Sequence, residues 1–158
     1  MKKILTILTI LCLLAVMLSA CKGSSDSGSK FSDLDKILEK QKELKVVLGS
    51  INTLDDLKAK KDIYVNLNID ILKMSIASLK KALSISKEDA LAYVTKSANL
   101  QRKNQALAAE LISFNTKLAK IKGGKEYLME IAKEVGKKTI PMVKEMQQLR
   151  QKLKKKIQ

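Results

Sequence analysis

The residue with the clearest chemical context in this chain is Cys21, whose thiol follows an apolar segment and two small residues. Lys2 and Lys3 make the start of the chain positive, and residues 4–17 are almost uninterrupted in their apolarity. Leu18-Ser19-Ala20-Cys21 follows this stretch. A charged start, an apolar stretch and small residues before a cleavage point are typical of a secretory signal peptide. The sequence therefore predicts export, with Cys21 at the cleavage point.

Leu18-Ser19-Ala20-Cys21 resembles a lipobox, the processing site of bacterial lipoprotein precursors. The resemblance implies a diacylglyceryl thioether on Cys21, cleavage directly before this residue, and acylation of the new N-terminus. Residues 1–20 would then be a cleaved lipoprotein signal peptide. The alternative is an ordinary secreted protein whose Cys21 carries no lipid.

The residue after the lipobox bears on the membrane that holds the protein. In Gram-negative lipoproteins of this type, Asp directly after the cysteine favours retention at the inner membrane, and this chain has Lys22 there. The resemblance therefore implies the outer membrane, on its periplasmic or surface face, if the source is Gram-negative. In other bacteria it implies the outer face of the cell membrane.

A short polar segment separates Cys21 from the rest of the chain. Residues 22–30 read KGSSDSGSK, and a composition rich in Ser and Gly is typical of a flexible linker. Nine such residues have a root-mean-square reach of about 15–18 Å. We therefore predict a lipidated cysteine and tether over residues 21–31, and a single helical-bundle domain over residues 32–158.

The composition limits the chemistry that the other residues can perform. The chain has no His, which excludes a His base, a His-activated nucleophile and a His metal ligand. Removal of the signal peptide takes Cys12 with it, so Cys21 has no partner for an internal disulfide. Neither a paired-carboxylate motif nor a Walker spacing is present. The sequence predicts a protein that is not an enzyme and has no cofactor beyond the lipid on Cys21.

Positive charge is the other pronounced feature of the chain. Lys and Arg number 31 against 16 Asp and Glu, a formal net charge of +15. A basic cluster near the C-terminus suits anionic lipid head groups, lipopolysaccharide or anionic glycans, or it only compensates a helix dipole and solvates the end of the chain. The cluster comprises Lys144, Arg150, Lys152, Lys154, Lys155 and Lys156.

Nucleic acid is not an expected partner of this basic chain. Proteins that read nucleic acids favour Arg for bidentate contacts and aromatic side chains for base stacking. Only Arg102 and Arg150 are Arg, and the aromatic residues are three Tyr and two Phe. The predicted export signal also argues against nucleic acid as a partner.

From Ser32 onward, the sequence predicts helix nearly throughout. Ser32, Thr53 and Ser86 each have Asp three residues later, which resembles a capping box, and Gly49 and Gly123-Gly124 are typical helix stops. The predicted helices cover residues 33–48, 54–83, 87–121, and 125 to near the C-terminus. A kink or break is predicted around residues 137–141, because Pro141 removes a backbone hydrogen bond.

Apolar residues along the longer helices recur in alternating steps of four and three, as they do along the seam of a coiled coil. In the last helix these positions are Leu128, Ala132, Val135, Thr139, Met142, Met146, Leu149 and Leu153, and in the second they are Val65, Ile69, Leu72, Ile76, Leu79 and Leu83. Short connections favour antiparallel neighbours. The predicted fold is all-α: an elongated antiparallel helical bundle or coiled coil of three long helices plus one shorter N-terminal helix.

Polar residues form a band within the apolar pattern of the second and third predicted helices. They either line a small polar cavity, fix the register of the helices as buried Asn does in coiled coils, or face water. The band on the third predicted helix comprises Ser97, Gln101, Asn104 and Gln105, and a looser band on the second comprises Asn68, Ser75 and Ser78.

Taken together, these features predict a membrane-anchored lipoprotein that acts by binding through helix faces and a Lys-rich surface. The predicted partners are membrane lipid through Cys21, and an envelope protein, a host protein or an anionic glycan. One alternative is a structural envelope spacer or self-assembling coiled coil, which would self-associate at micromolar concentration. Another is a periplasmic holdase, which would suppress the aggregation of unrelated unfolded proteins.

Overall fold

The computed structural model describes residues 31–158, and every regular element in that range is an α-helix. The prediction of an all-α protein is therefore confirmed for this part of the chain. The helices are α1 (Ser32–Gly49), α2 (Leu54–Ala59), α3 (Lys61–Ser84), α4 (Lys87–Lys103), α5 (Gln105–Lys120) and α6 (Gly124–Ile157). The predicted signal peptide, Cys21 and residues 22–30 lie outside the described residues.

The helices pack into a bundle in which α1 and α3 run in opposite directions. At one end, Lys81 near the end of α3 lies 3.3 Å from the carboxylate of Asp33 in the first turn of α1. At the other end, Lys60, directly before α3, donates a hydrogen bond to the hydroxyl of Ser50 after α1. The short helix α2 makes this reversal and buries Leu57 completely.

The longest helix, α6, lies beside α3 and runs in the same direction. Lys61 at the start of α3 pairs with Glu134, and Lys80 near its end pairs with Glu145. Helices α4 and α5 complete the bundle by contacting α6 on one side, while α5 also contacts α1. Helices α1 and α3 thus oppose each other, whereas α3 and α6 are parallel neighbours.

Two of the three predicted helix caps form. The hydroxyl of Thr53 accepts from the backbone N–H of Asp56 at 3.1 Å, and the Asp56 carboxylate accepts from the N–H of Thr53 at 3.0 Å. The Ser86 hydroxyl accepts from the N–H of Asp89 at 3.1 Å. The prediction for Ser32 is wrong: Phe31 is the N-cap of α1 and no side chain caps this helix. Burial of the Phe31 ring decides where this helix starts.

Two predicted helices are interrupted, so the described chain has six helices instead of four. The predicted helix 87–121 is interrupted at Asn104, whose backbone N–H and side-chain amide both donate to the carbonyl of Leu100, at 3.1 and 2.8 Å. The predicted helix 54–83 breaks at Lys60, which bonds to the turn after α1. Of the kink or break predicted around residues 137–141, the break is absent, since α6 continues through Pro141.

The hydrophobic core consists of two clusters along the bundle. The first is centred on residues such as Leu48, Leu57, Leu118 and Leu128, and the second on Phe31, Leu72, Leu79, Tyr93, Met146 and Leu153. Six of the eight predicted apolar positions of α6 are buried, while Met142 and Leu149 pack against the second cluster. In α3 the buried face also includes Tyr64, Asn68 and Ile71, because this helix packs against both α1 and α6.

The turn between α5 and α6 depends on its two glycines. Gly123 has a φ of 77°, which favours glycine. A Cβ at position 124 would lie 2.2 Å from the carbonyl oxygen of Leu118, and a backbone atom cannot move aside easily. We expect Gly124→Ala to lower the free energy of unfolding by about 1–3 kcal/mol. Urea unfolding followed by circular dichroism measures this loss.

Gly136→Ala is the matched control within α6. A Cβ at this position meets no atom closer than 3.8 Å. Because Ala is favoured over Gly inside a helix by about 0.5–1 kcal/mol, this variant should be more stable than the wild type. Changes of the same sign in both variants would contradict the packing described for Gly124.

Candidate binding surfaces

The six basic residues predicted as an anionic-surface site all lie on α6, but they differ in exposure. Four of them are exposed: Lys144, Lys152, Lys154 and Lys155. Arg150 and Lys156 are half-buried. The structure therefore divides the predicted cluster into residues that face solvent and residues that contact other helices.

Lys156 holds α6 against the end of α3. Its Nζ donates to the carbonyl oxygen of Leu83 at 2.8 Å and also contacts the carbonyl of Ile85. The last carbonyls of a helix have no partner within the helix and carry partial negative charge. Lys156 thus satisfies the C-terminus of α3, and its ammonium group is engaged within the bundle.

Arg150 points into the interior at the same end of the bundle. It lines a recess of about 50 Å³ together with Leu34, Tyr93 and Ser97. Burial lowers the pKa of the Arg150 guanidinium, and the nearby Tyr93 acts in the opposite direction. An Arg side chain stays protonated in proteins, so Arg150 places a positive charge inside the bundle.

Exposed lysines line the outer side of α6. Lys133, Lys137 and Lys144, here called the lysine face, are four and seven residues apart and therefore share one side of the helix. All three are exposed, and among residues 31–158 no ion pair includes any of them. Ile140 lies between them and is 43% exposed. The lysine face thus presents three lysines to solvent.

A buried polar network joins α1, α3 and α4 near Arg150. Ser78 is 2% exposed, and its hydroxyl donates to the Asp33 carboxylate at 2.6 Å. The hydroxyl of Tyr93 lies 2.9 Å from that of Ser78. Burial raises the pKa of Tyr93, as does the charge of Asp33, while the hydrogen bond with Ser78 lowers it. A neutral phenol can therefore donate to Ser78, which donates in turn to Asp33.

The network makes stability sensitive to acid. Burial opposes ionisation of Asp33, but hydrogen bonds from Ser78, its own backbone and Lys81 outweigh burial and lower the pKa of this carboxyl below 3.8. A lowered folded-state pKa stabilises the fold above the unfolded pKa, and this contribution disappears as pH falls through the folded pKa. The wild type should therefore lose stability below about pH 4.

Removal of the Ser78 hydroxyl should weaken this acid dependence. In Ser78→Ala the pKa of Asp33 should rise toward 3.8, so the variant should lose less stability on acidification than the wild type does. Urea midpoints measured from neutral pH to about pH 3 test this. Ser75→Ala is the control, because the Ser75 hydroxyl donates to the carbonyl of Ile71 within its own helix. If Ser78→Ala loses as much stability on acidification as the wild type, the role given to this network is wrong.

A cleft of about 70 Å³ lies between α1 and the junction of α4 with α5. Three residues of the predicted polar band line it, namely Ser97, Gln101 and Asn104, and Gln41 of α1 lies opposite. Apolar side chains such as Leu34, Leu100 and Leu107 form the rest of its wall. Ion pairs between the helices flank the cleft: Lys96 with Asp35, and Lys45 with Glu110.

The size of the cleft limits what it can hold. Pockets for small-molecule ligands usually measure about 300–1,000 Å³, whereas one water needs about 10–15 Å³ of such space. The cleft and the recess beside Arg150 thus suit a few water molecules. Three residues of the polar band lie along this cleft, beside the junction of α4 with α5.

Two further observations concern the described residues as a whole. Among residues 31–158, no three of the His, Cys, Asp and Glu side chains are placed so as to hold a metal ion together. In the same range, none of the helices combines the length and apolarity that a membrane crossing requires.

Comparison with known proteins adds no relative. No protein-family model, no curated protein and no solved structure matches this chain significantly.

The structure gives three residues, Phe31, Arg150 and Lys156, packing roles that the sequence pattern did not predict. Phe31 was placed at the end of the predicted tether, but its side chain is 1% exposed and its ring packs edge-on against Tyr93 at 5.6 Å. Arg150 and Lys156 contact other helices. For Phe31 a signal existed, since a large aromatic residue directly after a Ser- and Gly-rich segment marks the start of a core. For the other two, only the packing of α3 and α4 against α6 reveals the role.

Proposed function

We propose that this protein is an exported lipoprotein, anchored through lipid on Cys21, that acts as a non-enzymatic binding module. Its partner carries negative charge and binds the lysine face of α6. The observation that carries this proposal is the alignment of Lys133, Lys137 and Lys144 on one exposed side of a helix. Candidate partners are an anionic envelope or host protein and an anionic glycan, with the membrane contacted through the lipid.

The charge distribution supports binding of this kind over chemistry at a pocket. The acidic residues next to the lysine face, Glu134 and Glu145, form salt bridges with Lys61 and Lys80 of α3 instead. The cleft between α1 and the junction of α4 with α5 is too small for most small-molecule ligands. Lys is a flexible point charge, in contrast to the planar Arg fork. Lysines in a row therefore suit an extended polyanion, and binding should weaken as salt rises.

An elongated, coiled-coil-like bundle is part of this proposal. Helix α6 has 34 residues and is about 51 Å long, and its buried positions follow the heptad steps over most of that length. A compact sphere of similar chain length would have a radius of gyration of about 14 Å. Small-angle scattering should show a larger radius of gyration and a maximum dimension of at least about 50 Å. A spherical profile would contradict the elongated bundle.

Charge reversal tests the lysine face. The triple variant Lys133→Glu, Lys137→Glu, Lys144→Glu should elute from a heparin column at much lower salt than the wild type, because heparin is a sulfated glycan that depends on these charges. The control reverses three exposed lysines elsewhere, Lys42, Lys58 and Lys73, and changes the net charge equally.

The two variants separate a binding face from a general charge effect. The control should keep most of the heparin affinity, and circular dichroism should show both variants folded. If both triple variants elute at the same reduced salt, binding follows net charge alone, and the lysine face has no special role.

A further inference from the structure

The first described residue and the last turns of α6 lie at the same end of the bundle. Phe31 packs against Tyr93, and both belong to the same buried cluster as Leu153 of α6. Lys156 bonds to the carbonyl of Leu83 at the end of α3. We call this the tether end, because the chain arrives here from Cys21.

The length of chain before Phe31 limits how far this end can be from a lipid anchor. Ten residues, 21–30, precede Phe31, and even fully extended they span at most about 33–36 Å. Helix α6 is longer than this, at about 51 Å. Lipid on Cys21 therefore holds the tether end close to the head groups, whereas the turn at Gly123 can stand well away from them.

The tether end also carries exposed positive charge. The last seven residues contain four lysines and no acidic residue. One of the four is Lys156, which bonds within the bundle, and the other three are exposed. These three, Lys152, Lys154 and Lys155, are here called the lysine end. Within the described chain no ion pair includes them.

We infer that the lysine end docks on anionic phospholipid head groups of the membrane that holds the anchor. This inference rests on the proposed lipid anchor at Cys21, which supplies a high local concentration of the lipid surface. Basic residues beside an anchor commonly strengthen attachment to anionic lipid, each by about fivefold. The lysine face lies nearer the start of α6, away from the tether end, and would then stay accessible to another partner.

The contact between the lysine end and the head groups would supply a second attachment besides the lipid on Cys21. A single acyl chain binds a membrane reversibly, and additional chains or a basic patch make the attachment durable. Docking through the lysine end would also set the orientation of the bundle, with α6 rising from the surface and the turn at Gly123 outermost. The orientation follows from the shared location of Phe31 and the C-terminal lysines.

The test uses the processed chain, residues 21–158, with Cys21→Ala so that no lipid is attached. Cosedimentation with vesicles of phosphatidylcholine and phosphatidylglycerol should show salt-sensitive binding, and vesicles of phosphatidylcholine alone should bind far less. Replacing Lys152, Lys154 and Lys155 by Gln should weaken binding to the anionic vesicles about 100-fold. The matched control replaces the three lysines of the lysine face by Gln and should retain most of the binding.

Several results would overturn the inference. Equal binding to both vesicle types, or equal losses in the two triple variants, would remove the role of the lysine end. If the lysine-end variant loses binding to heparin but not to anionic vesicles, this end recognises a glycan instead. Because the assay needs no lipid on Cys21, failure of the anchor appears separately, as absence of lipid labelling in cells.

Discussion

Cys21→Ala should abolish lipid labelling of this protein and release it from the membrane fraction. The thioether requires a thiol, and Ala at this position offers no acceptor. Each buried CH₂ of an acyl chain contributes about 0.8 kcal/mol to membrane binding, so loss of two or three chains removes nearly all durable attachment. Metabolic labelling with a radioactive fatty acid, followed by membrane fractionation and blotting, measures both effects.

The second cysteine provides the matched control for this experiment. Cys12 lies within the predicted signal peptide, so Cys12→Ala should leave labelling and fractionation unchanged. A Cys21→Ala protein that stays labelled and membrane-bound would disprove the lipoprotein interpretation. An unlabelled wild type that is nevertheless exported would support the alternative of an ordinary secreted protein.

Phe31→Ala should cause the largest loss of stability among single substitutions at the tether end. The Phe31 side chain is 1% exposed and its ring contacts Tyr93 edge-on. Truncating a buried Phe to Ala commonly costs about 3–5 kcal/mol, because apolar contact is lost and a cavity remains. Since domains are stable by only about 5–15 kcal/mol in total, the variant should unfold at much lower urea.

The only other phenylalanine is the natural control. Phe114 is half-buried and lies over Gly49, so Phe114→Ala should lose clearly less stability than Phe31→Ala. Phe31→Leu should be clearly more stable than Phe31→Ala, because the Leu side chain fills most of the cavity that Ala leaves. Equal, small losses in Phe31→Ala and Phe114→Ala would mean that Phe31 is not part of the core.

Cys21 and Phe31 stand at the two ends of the segment that would connect the lipid to the bundle. Cys21 would carry the lipid, and Phe31 fixes the point at which the chain joins the bundle. If Phe31→Ala detaches the first turn of α1, the span between lipid and bundle lengthens. Phe31 therefore links the stability of the core to the proposed placement of the lysine end at the membrane.

Local rules were sufficient wherever a few neighbouring residues determine the structure. Thr53 with Asp56, and Ser86 with Asp89, start helices because hydroxyl and carboxylate oxygens satisfy free backbone N–H groups. Gly123 suits the turn directly before α6 because its positive φ is costly for other residues. The steps of four and three in α6 likewise identified most of its buried side.

Local rules failed where a distant part of the chain competes with them. Ser32 has the right spacing for a cap, yet burial of Phe31 against Tyr93 decides the start of α1. Lys60 looks like an ordinary helical residue, but its hydrogen bonds to Ser50 accompany a break between α2 and α3. Pro141 does not break α6, whose turns on either side are held by packing.

The sequence by itself determined the all-α class, most of the helix ends and the expectation of a lipid-bearing Cys21, because each depends on residue types within a short stretch. Tertiary structure alone decided which basic residues face solvent: it turned Arg150 and Lys156 inward and left Lys152, Lys154 and Lys155 exposed. It also brought Phe31 and the end of α6 together. Packing between distant segments depends on the whole chain, which no local pattern contains.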